Sequence, residues 1–289
     1  PLWNFMTING YKLREFGTSA ATEMAVALAN AVETMETLLA RGHDADWLGR
    51  RLAFFWSIGN DFFEEVARIR AVRRLWHRIM QHRFGARDPR ATWMRCHVQT
   101  SGVSLTRQEP FNNVVRVDVL NAELEMARKL DDSPIVLGAQ TVARQCDRAI
   151  LAELDEIENL GGYVATIKEG WIHRKISAYF RKERELTESG QTRVVAENIY
   201  QTKTDLPPVN DFRYPRGVAE RQHQRLEKLR NSRDNQKVRA ALENLETACR
   251  NGANILPLAV ECADVGCSEG ELFAVFKKAF GLWKPPVLW

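Results

Sequence analysis

Apolar positions in the first 116 residues form two alternating patterns along the chain. Short apolar runs at 4–11, 52–56 and 93–98 predict three strands. Apolar residues three and four apart predict helices at 18–42, with Thr18 as N-cap, and at 60–85; Asp44 caps a predicted one-turn helix between them. The inward residues are Met24, Leu28, Val32, Met35 and Leu39 in the first helix, and Phe62, Val66, Ile69, Trp76 and Met80 in the second. Strands separated by helices indicate a parallel sheet or a (β/α) barrel.

After residue 116 the pattern is mainly helical. A helix at 138–162 is predicted to turn Val142, Cys146, Ile150, Leu154 and Ile157 inward and to end at two glycines. A charged helix follows at 172–190, and 192–200 indicates one further strand. The proline-containing stretch 206–217 is typical of a domain boundary, and 218–281 predicts three or four helices.

These elements define the predicted fold class. Three clear βα units and a fourth possible strand are too few for a closed eight-stranded barrel. The sequence therefore predicts an α/β fold, with a partial or incomplete TIM-type (β/α) barrel over 1–205. A helical C-terminal segment is predicted over 206–289.

Composition and charge narrow the class of protein. The chain has 289 residues, 45% of them hydrophobic, and a net charge of +4 that does not by itself indicate a nucleic-acid partner. No apolar run approaches the roughly 18 residues that cross a bilayer, so no membrane partner is predicted. Five cysteines without a CxxC pair favour reduced thiols in a cytoplasm. Six histidines without an HExxH pattern give no prediction of a protein-bound metal.

Candidate chemistry collects at the predicted strand ends, where parallel α/β folds bind ligands. The third strand runs into an unusually polar stretch: His97, Gln99, Thr100, Ser101, Ser104, Thr106, Gln108, Asn112 and Asn113. Gly10, Gly59 and Gly102 permit close approach of the backbone at the three ends, and Tyr11, Lys12, His97 and Gln99 would point toward a shared ligand. Taken singly, a histidine in a polar loop or a glycine of this kind is more typical of a structural turn. The basic run 68–74 is more typical of a solvated helix face. Uncharged donors and acceptors suit a neutral ligand rich in oxygen, or a reaction without ionic intermediates.

Several of these stretches resemble a known family. "INGYKLREFG", "RRLAFFWSIGNDFFEEVARIRAVRRLW" and "MRCHVQTSGVSLTRQEPFNNVVR" are similar to the large subunit of the methylmalonyl-CoA mutase family, which includes isobutyryl-CoA mutase. "QRLEKLRNSRD" and "NILPLAVECADVGCSEGELFAVFKKAFG" resemble the helical segment that follows the barrel in those proteins. The resemblance covers most of 5–281, with its motifs in the same order.

The resemblance implies an isomerase that rearranges the carbon skeleton of a short acyl-CoA by adenosylcobalamin radical chemistry. By position, His97 and Gln99 belong to the family's HxQT motif and Tyr11 to its GYH motif. Arg51 and Arg90 stand where basic residues contact the CoA tail, and Gly102 is assigned to cofactor binding.

The departures from the family pattern set the expected partners. Lys12 replaces the histidine of GYH, the second histidine motif has no match between 116 and 149, and the front half of the barrel is missing. No DxHxxG motif is present, so the lower ligand of cobalamin is expected from a separate cobalamin-binding subunit. Because unclosed barrel strands leave exposed edges, a homo- or hetero-oligomer is predicted.

Three functions stay open on the sequence. The first is a component of an acyl-CoA mutase. The second is a non-catalytic subunit kept for assembly. The third is a cobalamin-free enzyme on a trimmed mutase scaffold, in which Lys12 polarises a carbonyl or transfers a proton.

Overall fold

The computed structural model of the protein describes residues 4–128, 134–202 and 213–286. The chain divides into two compact units, one formed by residues 1–207 with 286–289 and the other by residues 208–285. The described part of the first unit is mixed α/β and mostly helical, and that of the second is helical. Within the described ranges, no helix combines the length and apolar character that crossing a bilayer requires.

Three parallel strands form the sheet of the first unit, in the order β1 (Met6–Asn9), β2 (Leu52–Ile58) and β3 (Cys96–Thr100). Asn9 is aligned with Phe55, Phe55 with His97, and Trp56 with Val98. The predicted parallel arrangement of the three strands is therefore confirmed, although Tyr11, which was predicted to end the first strand, lies beyond it.

The first strand is shorter than the sequence predicts. Tyr11 opens a short helix, α1 (Tyr11–Glu15), instead of ending β1. The backbone turns here because the Asn9 side-chain oxygen accepts a hydrogen bond from the Lys12 N–H at 3.2 Å. The third strand lies further along the chain than predicted, since it begins at Cys96 rather than at residue 93.

The two faces of the sheet have different surroundings. Ile8, Leu52, Phe54 and Trp56 are buried on one face, in a core shared with the helices that cover it. The opposite face, called the open face below, carries Thr7, Asn9, Ala53, Phe55, His97 and Gln99, all exposed or half-buried. In a closed barrel such a face would point inward.

The helices of the covered side largely match the predicted pattern. They are α2 (Ala20–Ala40), α3 (Ala45–Gly49) and α4 (Phe62–Arg78), continued by a π-helical turn at Ile79–Arg83 and a 3₁₀ turn at Pro89–Thr92. Asp44 caps α3 as predicted, by accepting a hydrogen bond from the Trp47 N–H. The predicted cap of α2 is wrong by one residue, because the Ser19 hydroxyl, not Thr18, accepts the Thr22 N–H.

Further helices complete the first unit: α5 (Asn112–Arg128), α6 (Pro134–Asn159), α7 (Tyr163–Lys168) and α8 (Trp171–Glu188). Ile150, Leu154 and Ile157 of α6 are buried as predicted, whereas Val142 and Cys146 are only half-buried. None of the five cysteines forms a disulfide.

The further strand expected at 192–200 is absent from this described segment, where one isolated bridge joins Val195 and Ile199. The backbone here forms a turn instead of a strand. Ala196 and Tyr200 have positive φ angles of 67° and 52°. The Asn198 amide donates to the carbonyls of Thr187 and Thr192, which fixes the loop from within.

The second unit contains α9 (Val218–Ser232), α10 (Asn235–Asn251), α11 (Leu256–Asp264) and α12 (Glu269–Phe280). The prediction of three or four helices is confirmed for this segment. Leu245, Cys249, Cys262 and Val275 form its small core. Burial raises the pKa of the Cys262 thiol to about 11, as expected of a packing residue rather than a nucleophile.

Acid should destabilise the second unit through Glu271. Arg233 donates to both Glu271 oxygens at 2.6 and 2.8 Å, and the Ser268 N–H donates to one of them. The Arg233 hydrogen bonds are the main cause that lowers the pKa of Glu271 to about 2. Since the pKa is lower in the folded state, the stabilisation is complete above the unfolded value of about 4.3 and is lost as the pH falls toward 2.

With allowance for solvent screening, we expect about 1–3 kcal/mol to be lost over this pH range. Hydrogen exchange of the α12 amides between pH 5 and pH 2.5 measures it. Glu271→Gln should remove most of the pH dependence. A Gln variant with an unchanged slope would show that other carboxylates cause it.

Candidate active site

Three of the four predicted catalytic residues meet on the open face. The Tyr11 ring stacks on Phe55, with centroids 4.9 Å apart and planes 3° apart, and Phe55 lies 5.0 Å from the His97 ring. The Gln99 amide donates to the Tyr11 hydroxyl at 3.3 Å. We call Tyr11, Phe55, His97 and Gln99 the aromatic array. It offers a flat surface edged by uncharged hydrogen-bonding groups. Phe55 was not a candidate from the sequence, because its run reads as core.

Gly10 sets the position of Tyr11. A Cβ atom at Gly10 would lie 2.7 Å from two ring carbons of Trp56 and 3.1 Å from Cγ of Glu23. Trp56 and Glu23 are both fully buried, so neither can move aside easily. The glycine is therefore needed for the close approach of α1 to the core, and this contact places Tyr11 over Phe55.

Glu15 joins the other end of α1 to the end of β3. One oxygen of its carboxylate accepts hydrogen bonds from the Ser101 hydroxyl at 2.6 Å and the Gly102 N–H at 2.8 Å. A Cβ at Gly102 would lie 2.8 Å from the other oxygen, which gives this glycine a local structural role. Desolvation, followed by the charge of Glu15, raises the pKa of Tyr11 above its ordinary value, so its hydroxyl stays protonated near neutral pH.

A buried ionic network holds the end of β2 from beneath. Arg68 donates to Glu23 at 2.8 Å, to Glu65 and to the backbone carbonyl of Ser57. Glu23 in turn accepts the Ser57 N–H at 3.1 Å and its hydroxyl. Arg14 of α1 lies 3.5 Å from Glu65. The network thus links α1, α2, α4 and β2, and its centre is completely buried.

Arg68 corrects the interpretation of the basic run 68–74 as a solvated helix face. Its guanidinium is fully buried, and although desolvation lowers its pKa, the charges of Glu23 and Glu65 outweigh this effect and raise it. The sequence contained a signal for this burial. Glu65, Arg68 and Val72 follow one another at helical spacing on the inward side of α4.

Lys12 lies at the rim of the array. It is exposed, and its backbone N–H is bonded to Asn9, the residue aligned with Phe55 on the open face. No ion pair to Lys12 is found among the described residues. The prediction that Lys12 and His97 face one cavity stays a prediction.

The two predicted CoA contacts lie at the other end of the strands. Arg51 precedes β2 and packs over the Trp47 ring at 4.3 Å, and Arg90 is exposed in the 3₁₀ turn before β3. Arg95, which the sequence reasoning missed, joins them. Desolvation and the nearby charges of Arg51 and Arg50 lower its pKa. These arginines lie at the amino ends of β2 and β3, where Asp88 is also present and pairs with Arg50 at 3.2 Å.

Much of the polar stretch after β3 serves the fold of its own loop. The Thr106 N–H donates to the side chain of Asn113, whose amide donates back to the Thr106 carbonyl at 2.8 Å. Arg116 donates to both side chains. Ser101 and Ser104 instead line a cleft of about 620 Å³ at the carboxyl ends of the strands. The stretch therefore contributes only its first residues, His97 and Gln99, to the aromatic array.

Gly10→Ala should disturb this site measurably. We expect the free energy of unfolding to fall by about 1–3 kcal/mol, because the added methyl group overpacks a rigid core. Chemical denaturation measures the loss, and Gly270→Ala is the control, since no atom lies within 4 Å of a Cβ at that position. Equal stability of the two variants would show that α1 can shift away from Trp56 at little cost.

Comparisons with known proteins cover nearly the whole chain. The sequence pattern of the family described as methylmalonyl-CoA mutase matches residues 1–123 and 119–282. The two matched parts meet close to residue 120, within the region from 116 to 149 where the second histidine motif has no counterpart.

Individual relatives give the same result. The chain is 32% identical over 321 aligned residues to methylmalonyl-CoA mutase of Cereibacter sphaeroides, covering 97% of this chain and 45% of that protein. It is 29% identical to the 2-hydroxyisobutanoyl-CoA mutase large subunit of Aquincola tertiaricarbonis, covering 98% and 57%, and 31% identical to human mitochondrial methylmalonyl-CoA mutase, covering 97% and 43%. The chain thus spans about half the length of the curated relatives it matches.

Proposed function

This chain belongs to the methylmalonyl-CoA mutase family, and from this premise we propose that it is a component of an acyl-CoA mutase. The proposed enzyme is an isomerase that rearranges the carbon skeleton of a short acyl-CoA with adenosylcobalamin. The observation that carries the proposal is the aromatic array, in which Tyr11, His97 and Gln99 meet on the open face.

The chemistry of the array suits radical catalysis. Tyr11 and Gln99 are uncharged, and they are joined by a hydrogen bond that orients both toward the open face. Hydrogen bonds from uncharged groups can hold a thioester in place. They add no ionic charge, and a neutral radical intermediate needs none for its stabilisation. The array therefore supports binding and orientation of the acyl group more than acid–base catalysis.

The residues present also fit the adenosyl side of the cofactor. The stacked rings of Tyr11 and Phe55 form a flat surface, and His97 and Gln99 beside them are exposed and can donate or accept hydrogen bonds. Adenosylcobalamin, when bound, supplies a carbon-centred radical that removes a hydrogen atom from the acyl group. Gly102, bonded to Glu15, is proposed as a cofactor contact in the adjoining turn.

The arginines at the amino ends of the strands would hold the CoA phosphates. Arg51 lies four residues before Phe55, a distance of about 13 Å along a strand. An acyl-CoA is long enough to extend over this distance, so its charged tail can reach Arg51 and Arg90 while its thioester lies at the array. Charge-assisted hydrogen bonds from guanidinium groups suit phosphate oxygens.

The proposed enzyme includes other chains. Among the described residues, β1 and β3 each pair on one side only, with β2, and Thr7, Asn9, His97 and Gln99 of the open face are exposed. Exposed strand edges of this kind favour pairing with further strands. We therefore propose an oligomer that completes a barrel, and a separate subunit that supplies the lower cobalamin ligand.

A direct assay tests the proposal. The native protein, with any chain that co-purifies, is incubated with adenosylcobalamin and isobutyryl-CoA or methylmalonyl-CoA, and rearranged product is measured by mass spectrometry. We expect turnover that is lost when the cofactor is omitted or destroyed by light. Acyl-CoA binding without turnover would favour a non-catalytic subunit.

The cobalamin-free alternative has one observation in its favour. Lys12 is exposed at the rim of the array, and no carboxylate is paired with it among the described residues. An ammonium group in this position can polarise a carbonyl without a metal or cofactor. Turnover of an acyl-CoA that is indifferent to adenosylcobalamin and to light would establish this alternative and overturn the mutase proposal.

A further inference from the structure

The exposed part of the basic run on α4 forms one wall of a groove. Arg73 and Arg74 lie three and four residues after Arg70 and four and three residues before His77, so the four side chains share one side of the helix. Thr92, Trp93, Met94 and Arg95 form the other wall, and the groove between them has a volume of about 700 Å³. This is the size of a pocket for a small organic ligand.

The lining of the groove is positively charged. Its described lining contains four arginines and no carboxylate. Arg74 is paired with Asp147 from α6, but Arg73 is exposed and has no ion pair among the described contacts. Arg51 and Arg50 lie near enough to Arg95 to repel its charge, although Arg95 donates to the Gly49 carbonyl at 3.0 Å and Arg50 is paired with Asp88. An anion would relieve this repulsion.

The two walls are fixed to each other. Nδ1 of His77 and the Thr92 hydroxyl lie 2.9 Å apart, and the Thr92 hydroxyl donates to the Pro89 carbonyl at 2.8 Å. With its proton used in this way, the hydroxyl accepts from His77, so Nδ1 carries a hydrogen atom. Thr92 is buried. Hydrogen bonds between its two walls therefore fix the shape of the groove.

An aromatic ring completes the surroundings. Trp93 is 59% exposed beside the arginines, although a tryptophan ring is costly to leave in water. An exposed aromatic ring next to guanidinium groups is suited to a ligand with a planar base and phosphate groups. An inorganic anion alone would leave the ring uncovered.

We propose that this groove binds a nucleotide, with its phosphates on Arg73 and its base stacked on Trp93. The site is distinct from the one proposed for acyl-CoA, which depends on Arg51 and Arg90 and on the array across the open face. The inference does not require mutase activity.

Calorimetric titration with ADP tests the site. We expect ADP to bind the native protein, adenosine and inorganic pyrophosphate to bind more weakly, and affinity to fall with salt. Arg73→Ala and Trp93→Leu should each weaken ADP binding by roughly 10-fold or more, the scale of one charge-assisted hydrogen bond or one stacked base. Both side chains are exposed, so both variants should keep their circular dichroism spectrum.

Two matched variants make the result specific. Arg78→Ala removes an exposed arginine from the same helix but outside the groove, and it should leave ADP affinity unchanged. Arg51→Ala tests the proposed CoA contact. If Arg51→Ala lost ADP binding while Arg73→Ala kept it in full, the nucleotide would bind at the proposed CoA contact, and the inference would be overturned. The lack of any binding of ADP at millimolar concentration would overturn it as well.

Discussion

Replacing Arg68 by methionine should lower the free energy of unfolding of the first unit by about 3–5 kcal/mol. The guanidinium is the only cation of the described network that lies fully inside the core, where it bonds to Glu23, Glu65 and the Ser57 carbonyl. Without it, two buried carboxylates lose their partner and must either take up protons or draw in water. That cost is far larger than the packing gained by a methionine side chain.

Controls separate the network from the general loss of a charge. Arg73→Met changes an exposed residue of the same helix and should cost less than about 1 kcal/mol. Arg68→Lys keeps the charge but cannot bond to three acceptors in a plane, so its loss should be intermediate. Urea denaturation gives the magnitudes, and hydrogen exchange of the Phe54–Ser57 amides locates the effect. An Arg68→Met variant as stable as Arg73→Met would show that water already reaches the network.

The parallel sheet followed from the sequence because the residues of its covered face share one apolar environment. Ile8, Phe54 and Trp56 are buried in one core, so the short apolar runs that contain them can be recognised in the sequence without knowing which strands pair. The strand ends were less accurate. A hydrogen bond from the Lys12 N–H to the side-chain oxygen of Asn9, not an apolar pattern, decides where β1 stops.

The buried network was missed because charge usually marks the surface. Glu23 and Arg68 both occupy inward positions of their helices, so their spacing indicates burial. Their charged side chains, in contrast, are typical of exposed positions. Their pairing depends on contacts 45 residues apart in the chain. Periodicity identifies the inward side of one helix, but it cannot identify the partner that makes a charge tolerable there.

The aromatic array was predicted in part. Tyr11, His97 and Gln99 were identified from strand ends and from a family motif, and the structure brings them together. Phe55 was not identified, since a central strand with apolar residues on both faces gives no sign of which face is covered. The site therefore emerges only when the strand register is known.

In the proposed enzyme, Lys12→Ala should lower the turnover of acyl-CoA by roughly 100-fold or more, because we propose that Lys12 is an electrostatic donor to the thioester oxygen. Lys12 follows Tyr11 in α1 and its side chain is exposed, so the substitution should not affect folding. Lys168→Ala, at an exposed position at the end of α7, is the matched control and should keep full activity.

The division between kcat and KM identifies what Lys12 does. A fall in kcat with KM unchanged indicates an interaction made in the transition state, whereas a rise in KM alone indicates a contact that only binds the substrate. Lys12→His then tests the chemistry, because an imidazole can still donate to the oxygen with less charge. Recovery of adenosylcobalamin-dependent rearrangement by Lys12→His would show that hydrogen bonding to the thioester is the essential contribution. If Lys12→Ala were as active as Lys168→Ala, the lysine would be a solvated side chain at the rim, and orientation of the substrate would fall to Tyr11, His97 and Gln99 alone.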